Sequence, residues 1–191
     1  MSDNEVIRLV LKGEREMYRI LVDRYQSVIF RTCIGFVHNK EDADDLTQEV
    51  FIQAYQSLSG FKGNATFSTW IYRIAVNASL NKVRKSTGNF IVQRLTNLPE
   101  ADKELKLSVN EIENPETLLI REEHRKWVQR ALDSLPDNQR IAIVLSKYDD
   151  LSQKQIAEIL NTTEGAVEAL IQRAKSNLRK KLSSLHKKNH N

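Results

Sequence analysis

Residues 151–182 read LSQKQIAEILNTTEGAVEALIQRAKSNLRKKL, and this stretch decides the fold class. Ser152 and Gln155 have the spacing of a capping box, which predicts the start of a short helix. The residues NTT at 161–163 predict a tight turn, and a longer amphipathic helix is predicted from Glu164 onward. A short helix, a three-residue turn and a longer basic helix are the parts of a helix-turn-helix.

The second helix of this motif carries side chains suited to DNA on its predicted outer face. Gln172 suits an adenine edge and Glu168 suits a cytosine amine, whereas basic side chains suit phosphates. The basic residues here are Arg173, Lys175 and Arg179, and the predicted buried stripe is Val167, Leu170, Ala174, Leu178 and Leu182. The alternative is an ordinary helical hairpin with a solvated face. We favour DNA binding because the cap, the turn length and the basic run all agree.

The rest of the chain shows helical periodicity and almost no alternation of apolar and polar residues, which predicts an all-α fold. Four helices are predicted in the first half, at residues 14–25, 27–37, 40–58 and 66–85. Residues 86–115 lack a sustained period and are rich in acidic residues, which favours a linker. We therefore predict two small helical domains joined by a flexible linker, with residues 1–87 in the first, 88–114 as the linker and 115–191 in the second.

Composition places this chain of 191 residues and net charge +4 among globular proteins. Neither a signal peptide nor an apolar run long enough for a membrane span is apparent, so we expect a cytoplasmic protein. Cys33 is the only cysteine, which excludes an internal disulfide and favours a core position. Basic residues cluster between Ile171 and Asn191 without any Asp or Glu, as suits contact with phosphates.

An acidic stretch, EDADDLTQEVFIQAYQSL at residues 41–58, admits three interpretations. Asp42, Asp45 and Glu49 share one face of the predicted helix, as a metal site would require. Carboxylates bind Mg²⁺ chiefly together with substrate phosphates, and no second matching cluster appears, so the metal and enzyme interpretations are weak. The same face suits a basic partner, with apolar residues packing beneath it. A solvated helix face is the simplest alternative.

The stretch TFSTWIYRIAVNASLNKVRK at residues 66–85 has two faces. One is an apolar stripe that predicts a core position, and it comprises Phe67, Ile71, Ile74 and Ala78. The other is polar and basic, and it comprises Arg73, Asn77, Asn81 and Arg84, with Lys85 adjacent. Aromatic groups near basic ones suit single-stranded DNA, because bases stack on rings while cations follow the backbone. Trp70, taken alone, is more typical of a core.

Together, in this order, the segments resemble those of a sigma factor of bacterial RNA polymerase, of the extracytoplasmic-function group that retains two helical domains. The segment DADDLTQEVFIQAYQSL resembles the part that binds core polymerase. The segment FKGNATFSTWIYRIAVNASLNKVRK resembles the part that melts and reads the minus-ten element, and residues 151–182 resemble the part that reads the minus-thirty-five element. The resemblance covers nearly the whole chain.

The resemblance implies three sets of site residues. Those expected to contact the clamp helices of the polymerase's largest subunit are Asp45, Gln48 and Glu49. The loop at residues 61–66 is expected to hold an unstacked base, and the residues expected at minus-ten DNA are Phe61, Lys62, Asn64, Phe67, Ser68, Thr69, Trp70, Arg73, Asn77, Arg84 and Lys85. Those expected at minus-thirty-five DNA are Thr163, Glu164, Glu168, Gln172, Arg173, Lys175 and Arg179.

The resemblance also implies the partners: core RNA polymerase, promoter DNA and, as is common in the family, an anti-sigma protein. It implies no cofactor, no metal and no active site, since the polymerase performs the chemistry. The acidic residues of the linker are expected to imitate a nucleic-acid backbone. The competing hypothesis is a stand-alone helix-turn-helix regulator. Two residues depart from the family pattern: Asn81 where many relatives are acidic, and Glu168 within the recognition helix.

Overall fold

The computed structural model describes the backbone of residues 1–96 and 115–188 and the side chains of residues 1–85 and 122–184. The regular elements in these ranges are helices, which confirms the all-α fold. Two short 3-10 turns lie at Arg15–Met17 and Leu58–Gly60. The α-helices are α1 (Asp3–Leu11), α2 (Tyr18–Val37), α3 (Lys40–Ser57), α4 (Phe67–Thr96), α5 (Pro115–Asp133), α6 (Asp137–Tyr148), α7 (Gln153–Leu160) and α8 (Glu164–Lys188).

Local capping explains several helix starts. The predicted capping box of α7 is present: the Gln155 backbone N–H donates to Ser152 Oγ, and the Ser152 backbone N–H donates to the Gln155 side chain. The same device starts α1, where Ser2 and Glu5 form a second capping box that the sequence interpretation overlooked. At α3, Asn39 accepts a hydrogen bond from the Asp42 backbone N–H. Each cap satisfies a backbone donor that would otherwise lack a partner.

Two predicted boundaries differ from the structure. The helices predicted at residues 14–25 and 27–37 are one continuous helix, α2, because the exposed Gln26 and Ser27 face solvent without interrupting the backbone. Polar residues such as these lower helix propensity only slightly, and the packing of neighbouring apolar residues outweighs that small preference. Helix α4 runs to Thr96, which is beyond the predicted end at residue 85 and inside the range predicted as linker. Residues 97–114 of that predicted linker lie outside the described residues.

Helices α1–α4 pack together as the first domain and α5–α8 as the second, and buried apolar residues of both domains form one continuous hydrophobic cluster. In the first, Phe36, Val50 and Ile71 are almost completely buried where α2, α3 and α4 meet. In the second, Leu145, Ile156 and Val167 bring α6, α7 and α8 together. Cys33 is buried in the first domain as part of this cluster, which confirms its predicted core position.

The two helical domains contact each other through α2 with α6 and through α4 with α7. Gly35 makes the first contact possible, because a Cβ at this position would lie 2.7 Å from Val144 Cγ1. Nearby, Thr32 Oγ1 donates a 2.6 Å hydrogen bond to the Asp149 carboxylate. Burial raises the pKa of this carboxyl above its usual range. Arg140, also buried, donates a 2.6 Å hydrogen bond to the backbone carbonyl of Phe36.

Candidate nucleic-acid and partner interfaces

An aromatic cluster forms where the loop after α3 enters α4. The Phe61 ring centroid lies 5.3 Å from that of Trp70 and 6.1 Å from that of Phe67, and the Phe67 and Trp70 centroids are 5.6 Å apart. Phe67 is 1% exposed, so it supports the cluster from beneath and offers no free face to a base. Phe61 and Trp70 are half-buried. The partly exposed rings of Phe61 and Trp70 therefore form an aromatic surface that packs on the buried ring of Phe67.

The loop at residues 61–66 is held at both ends. The Phe61 backbone N–H donates to the Leu58 carbonyl at 3.1 Å, and the Thr69 backbone N–H donates to Thr66 Oγ1 at 3.1 Å. Gly63 has a φ of +71°, which glycine adopts without steric cost. Lys62 and Asn64 are exposed between these anchors. A loop fixed at its ends and polar at its tip can present backbone and side-chain groups at low entropic cost.

The polar face of α4 is only partly open. Asn77, Arg84 and Lys85 are exposed, and Ser68 is half-buried, whereas Thr69 is buried. Arg73 turns toward the second domain, where its guanidinium donates to the carbonyls of Glu158 at 2.6 Å and Ile159 at 3.1 Å. These carbonyls lie at the C-terminal end of α7, where the helix dipole is negative. Arg73, which we predict to bind a DNA phosphate, thus binds the C-terminal end of α7 in this structure.

Two further contacts cover the same face. Arg84 pairs with Asp137 of α6, and Thr69 Oγ1 lies 3.4 Å from the Glu158 carboxylate. Between α4 and the second domain lie two clefts of about 570 and 610 Å³, and Arg73 lines both. The face of α4 that we predict to contact minus-ten DNA is therefore in contact with α6 and α7 in this structure.

The helix-turn-helix carries its predicted polar residues on the outside. Asn161 adopts the left-handed conformation that ends α7, and Thr163 Oγ1 accepts from the Ala166 backbone N–H at 3.2 Å to cap α8. On α8, Val167, Ile171 and Ala174 are buried, while Leu170, Leu178 and Leu182 are half-buried. The exposed residues are Thr163, Glu164, Glu168, Gln172, Arg173, Lys175 and Arg179. The predicted buried stripe is confirmed for Val167 and Ala174, whereas Leu170, Leu178 and Leu182 are only half-buried and Ile171, which was not predicted, is buried.

The outer face of α3 combines carboxylates with an exposed apolar patch. Asp45, Gln48 and Glu49 are exposed above the buried Leu46 and Val50, as predicted. Sequence reasoning missed the neighbouring patch, where Ile52 is 58% exposed and Tyr55 is 38% exposed. Ile52 lies two turns after Asp45, so the helical spacing could have identified it. An exposed isoleucine within a charged rim is typical of a protein-binding surface.

Asp42, the third carboxylate of the predicted face, has other partners. Its carboxylate accepts from Asn39 and lies 3.0 Å from Lys82 Nζ, and these two contacts lower its pKa. Among the described residues there is no group of three or more His, Cys, Asp or Glu side chains arranged to hold a metal ion. Within the same ranges, no helix is long and apolar enough to cross a membrane.

Comparisons with known proteins identify the family of this chain. Residues 21–88 match the family described as Sigma-70 region 2, and residues 125–178 match Sigma-70, region 4. The chain is 34% identical to the ECF RNA polymerase sigma-E factor of Escherichia coli K12, over 97% of this chain and 96% of that one. It is 32% identical to the RNA polymerase sigma-H factor of Pseudomonas aeruginosa, over 96% of this chain and 95% of that one.

Solved structures show the same fold. CnrH, in complex with the cytosolic domain of CnrY, matches with a TM-score of 0.62 and 21% identity, over 95% of this chain and 97% of that chain. The sigma factor RpoE of Bartonella quintana, in complex with the anti-sigma factor NepR, matches with a TM-score of 0.58 and 18% identity, over 87% of this chain and 96% of that chain.

Proposed function

Because this chain belongs to the extracytoplasmic-function sigma factors and directs RNA polymerase to promoters, we propose how its surfaces divide that work. The first domain binds core polymerase through α3 and opened minus-ten DNA through the loop at residues 61–66 and α4. The second domain reads the minus-thirty-five element through α8. The chain catalyses no reaction of its own and works in the cytoplasm beside the polymerase.

The observation that supports this division best is the separation of the three surfaces. The acidic and apolar face of α3, the aromatic loop before α4 and the exposed face of α8 lie on three different elements of the fold. To test it, purified chain is mixed with core polymerase and a library of promoter fragments, and the transcripts are sequenced. We expect promoter-dependent transcripts only when both proteins are present. DNA binding with no association with core polymerase would instead favour a stand-alone regulator.

At minus-ten DNA, the loop and α4 contribute different contacts. The exposed Lys62 and Asn64 suit the backbone and edge of an extruded base, and the half-buried Phe61 offers a ring for stacking. Extruding a base costs a few kcal/mol, so stacking and hydrogen bonds must offset this cost. Asn77, Arg84 and Lys85 follow along the exposed face of α4. We assign Phe67 and Thr69 to the support of the loop, because both are buried.

Trp70→Phe is expected to leave promoter opening within about threefold of the wild type. Trp70 packs against both Phe61 and Phe67, so its role is to brace the loop, and a phenyl ring retains most of that contact. Loss of a base-stacking platform would cost ~1–3 kcal/mol by comparison. The measurement is the rate of open-complex formation by holoenzyme, with Phe61→Ala as the contrasting variant. A Trp70→Phe defect as large as that of Phe61→Ala would contradict the bracing role.

Binding to minus-ten DNA requires α7 to leave α4. The Nε and Nη2 groups of Arg73 donate to the Ile159 and Glu158 carbonyls, so α7 covers part of the surface through which this guanidinium would meet a phosphate. Arg84 is likewise paired with Asp137. The structure thus represents a closed arrangement, and polymerase or an anti-sigma protein acts by favouring one arrangement over the other.

Glu168→Arg is expected to change which minus-thirty-five sequences are selected while leaving the affinity for core polymerase unchanged. Glu168 is exposed on α8, and a wrong or missing base contact typically costs ~1–3 kcal/mol. The measurement is sequencing of promoter fragments selected by holoenzyme from a randomised library. Lys175→Ala serves as the contrast, because loss of a phosphate contact weakens binding to all sequences alike. An unchanged selected sequence would contradict a base-reading role for Glu168.

The two structural neighbours are bound to CnrY and to the anti-sigma factor NepR, respectively. We propose that this chain also has an anti-sigma partner. Copurification from the host under conditions that repress its promoters is the direct measurement.

A further inference from the structure

One carboxyl group is buried between the two helical domains. Asp149 follows α6 directly, and its side chain is 0% exposed where α6 packs against α2. Gly35 lets the two helices approach at this place, since a Cβ there would meet Val144 and Tyr148. In an open arrangement, with the two domains apart, water would reach the carboxyl. Its environment therefore differs between the closed and the open chain.

The ionised form of this carboxyl is poorly satisfied in the closed arrangement. Oδ2 of Asp149 accepts from Thr32 Oγ1 at 2.6 Å, but Oδ1 has no hydrogen-bond donor among the residues that the structure describes. Arg31 Nε lies 3.5 Å from Oδ1 as an ion pair, and the Arg31 side chain is 48% exposed. A buried anionic oxygen without a donor costs free energy, and a neutral carboxyl avoids most of this cost.

The hydrogen bonds of Thr32 can also accommodate an added proton. Thr32 Oγ1 lies 3.1 Å from the Val28 carbonyl as well, but a hydroxyl group has only one proton to donate. A protonated Asp149 would donate to Thr32 Oγ1, and the Thr32 hydroxyl would then donate to the Val28 carbonyl. Both short distances are hydrogen bonds at the same time when the carboxyl carries a proton.

The other titratable groups around this carboxyl come from α2, from α4 and from the next residue. Burial raises the pKa of Asp149, although its hydrogen bond to α2 and the positive charge of Arg31 oppose the rise. The neighbouring Asp150 adds to the rise. Cys33 of α2 and Tyr72 of α4 interact with the same charge, and burial raises the pKa of both, so each is neutral near pH 7.

We propose that closure of the two domains takes up a proton from solvent at Asp149, so that acid favours the closed arrangement and alkali releases α4 for minus-ten DNA. The inference rests on the proposed separation of α7 from α4. In the open chain the exposed carboxyl would titrate near the ordinary aspartate value of about 3.9. Below that value the ratio of closed to open chains is constant. Above it the ratio falls by up to about tenfold per pH unit, and it levels off above the raised pKa of the closed chain.

Two other titratable contacts cross the same interface. Arg84 pairs with Asp137, and protonation of this aspartate would favour the open arrangement in acid, which is the opposite sign. His38 Nε2 lies 3.1 Å from Asp133 Oδ1, and protonation of the imidazole would strengthen this contact, which is the same sign. The variant His38→Asn removes the second contribution, and Asn tolerates the left-handed backbone at position 38.

The test follows domain separation in the full chain by energy transfer between dyes attached at Gln53→Cys and Ser176→Cys. Both positions are exposed, one in each domain, and the buried Cys33 should not react. Between pH 8 and pH 5 the ratio of closed to open chains should rise roughly tenfold when Asp149 is present. Asp149→Asn imitates the protonated carboxyl, so it should hold the ratio constant, near the value that the unsubstituted chain reaches in acid.

Two further variants serve as control and as second test. Asp150→Asn removes an exposed carboxyl from the next position and should retain the pH dependence. Arg31→Gln removes the cation that favours the carboxylate, so the transition should move to higher pH. Arg31 is exposed, so this second test remains decisive even if Asp149→Asn fails to fold, which thermal unfolding would report.

Several results would overturn the proposal. A ratio of closed to open chains that does not change with pH would do so, as would a dependence that persists undiminished in Asp149→Asn. Loss of the dependence in His38→Asn would assign the proton to the imidazole instead. A transition that stays in place or moves to lower pH in Arg31→Gln would also contradict a carboxyl that ionises beside this cation.

Failure of this proposal is distinguishable from failure of the proposed function. If wild-type holoenzyme yields no promoter-dependent transcripts at any pH, the proposed function fails. If it yields transcripts and the energy transfer does not depend on Asp149, only the inference about the proton fails. In transcription, the yield of Asp149→Asn relative to wild type cancels the pH dependence of the polymerase itself. This relative yield should be well below one at pH 8 and should approach one at pH 5.

Discussion

Ile52→Asp should weaken binding to core RNA polymerase by roughly 10- to 100-fold. Ile52 is 58% exposed and lies among Asp45, Gln48 and Glu49 on the outer face of α3. Burying such a side chain at an interface contributes ~1.5–3 kcal/mol, and each 1.4 kcal/mol is a factor of about ten in affinity. A carboxylate at this point would also be desolvated without a partner. The measurement is the affinity of labelled chain for core polymerase.

The matched control is Gln53→Asp, which adds the same charge one residue later and about 100° around the helix. Gln53 is exposed, so this variant should fold normally and change core affinity by less than about threefold. Thermal unfolding of both variants should match the wild type because neither position is in the core. Equal affinities for Ile52→Asp and Gln53→Asp would show that the apolar patch is not part of the polymerase interface.

Covalent locking of α4 to α7 should abolish promoter-dependent transcription in proportion to the cross-linked fraction. Thr69 Oγ1 lies 3.4 Å from the Glu158 carboxylate, so a Thr69→Cys/Glu158→Cys pair can be joined by a short, cleavable reagent that reacts with thiols. The lock would keep Arg73 on the α7 carbonyls and away from DNA. Cys33 should not react, because burial raises the pKa of its thiol to about 11.

A second cysteine pair, Gln139→Cys/Asn177→Cys, controls for the chemistry. These side chains are 2.8 Å apart within the second domain, so their cross-link leaves the domains free to separate. Transcription should survive this cross-link and should return to the Thr69/Glu158 variant when the linker is cleaved. Full activity of the locked Thr69/Glu158 variant would show that minus-ten DNA binds without separation of α4 from α7.

Local signals predicted the helix-turn-helix well. The capping box at Ser152, the turn at Asn161 and the spacing of Val167 and Ala174 each involve residues only a few positions apart. Helix α1 carries equally local signals, with Ser2 and Glu5 at capping-box spacing before the apolar Val6, Ile7 and Val10, but the sequence interpretation began its first helix at residue 14. Local patterns determine where helices begin, but they report little about which faces meet.

Distant contacts explain the site residues that the sequence placed less well. Arg73 and Glu158 are 85 positions apart, and nothing in either segment indicates that a guanidinium would bind the end of α7. Phe67 belongs to an apolar stripe that predicted a core position, and the structure buries it. Its expected place at the edge of melted DNA came from the family resemblance alone, which assigns residues by alignment and carries no information about burial.

The absence of a side chain at Gly35 has a regulatory consequence. In the closed arrangement α2 and α6 approach so closely that a methyl group on Gly35 would lie 2.7 Å from Val144 Cγ1, and the packing of the two helices would have to shift. A difference of 1.4 kcal/mol in the packing at this point would change the ratio of closed to open chains tenfold. Under the proposed requirement that α7 leave α4 before minus-ten DNA binds, a substitution at Gly35 would change the basal transcription of the target promoters without any change in promoter sequence.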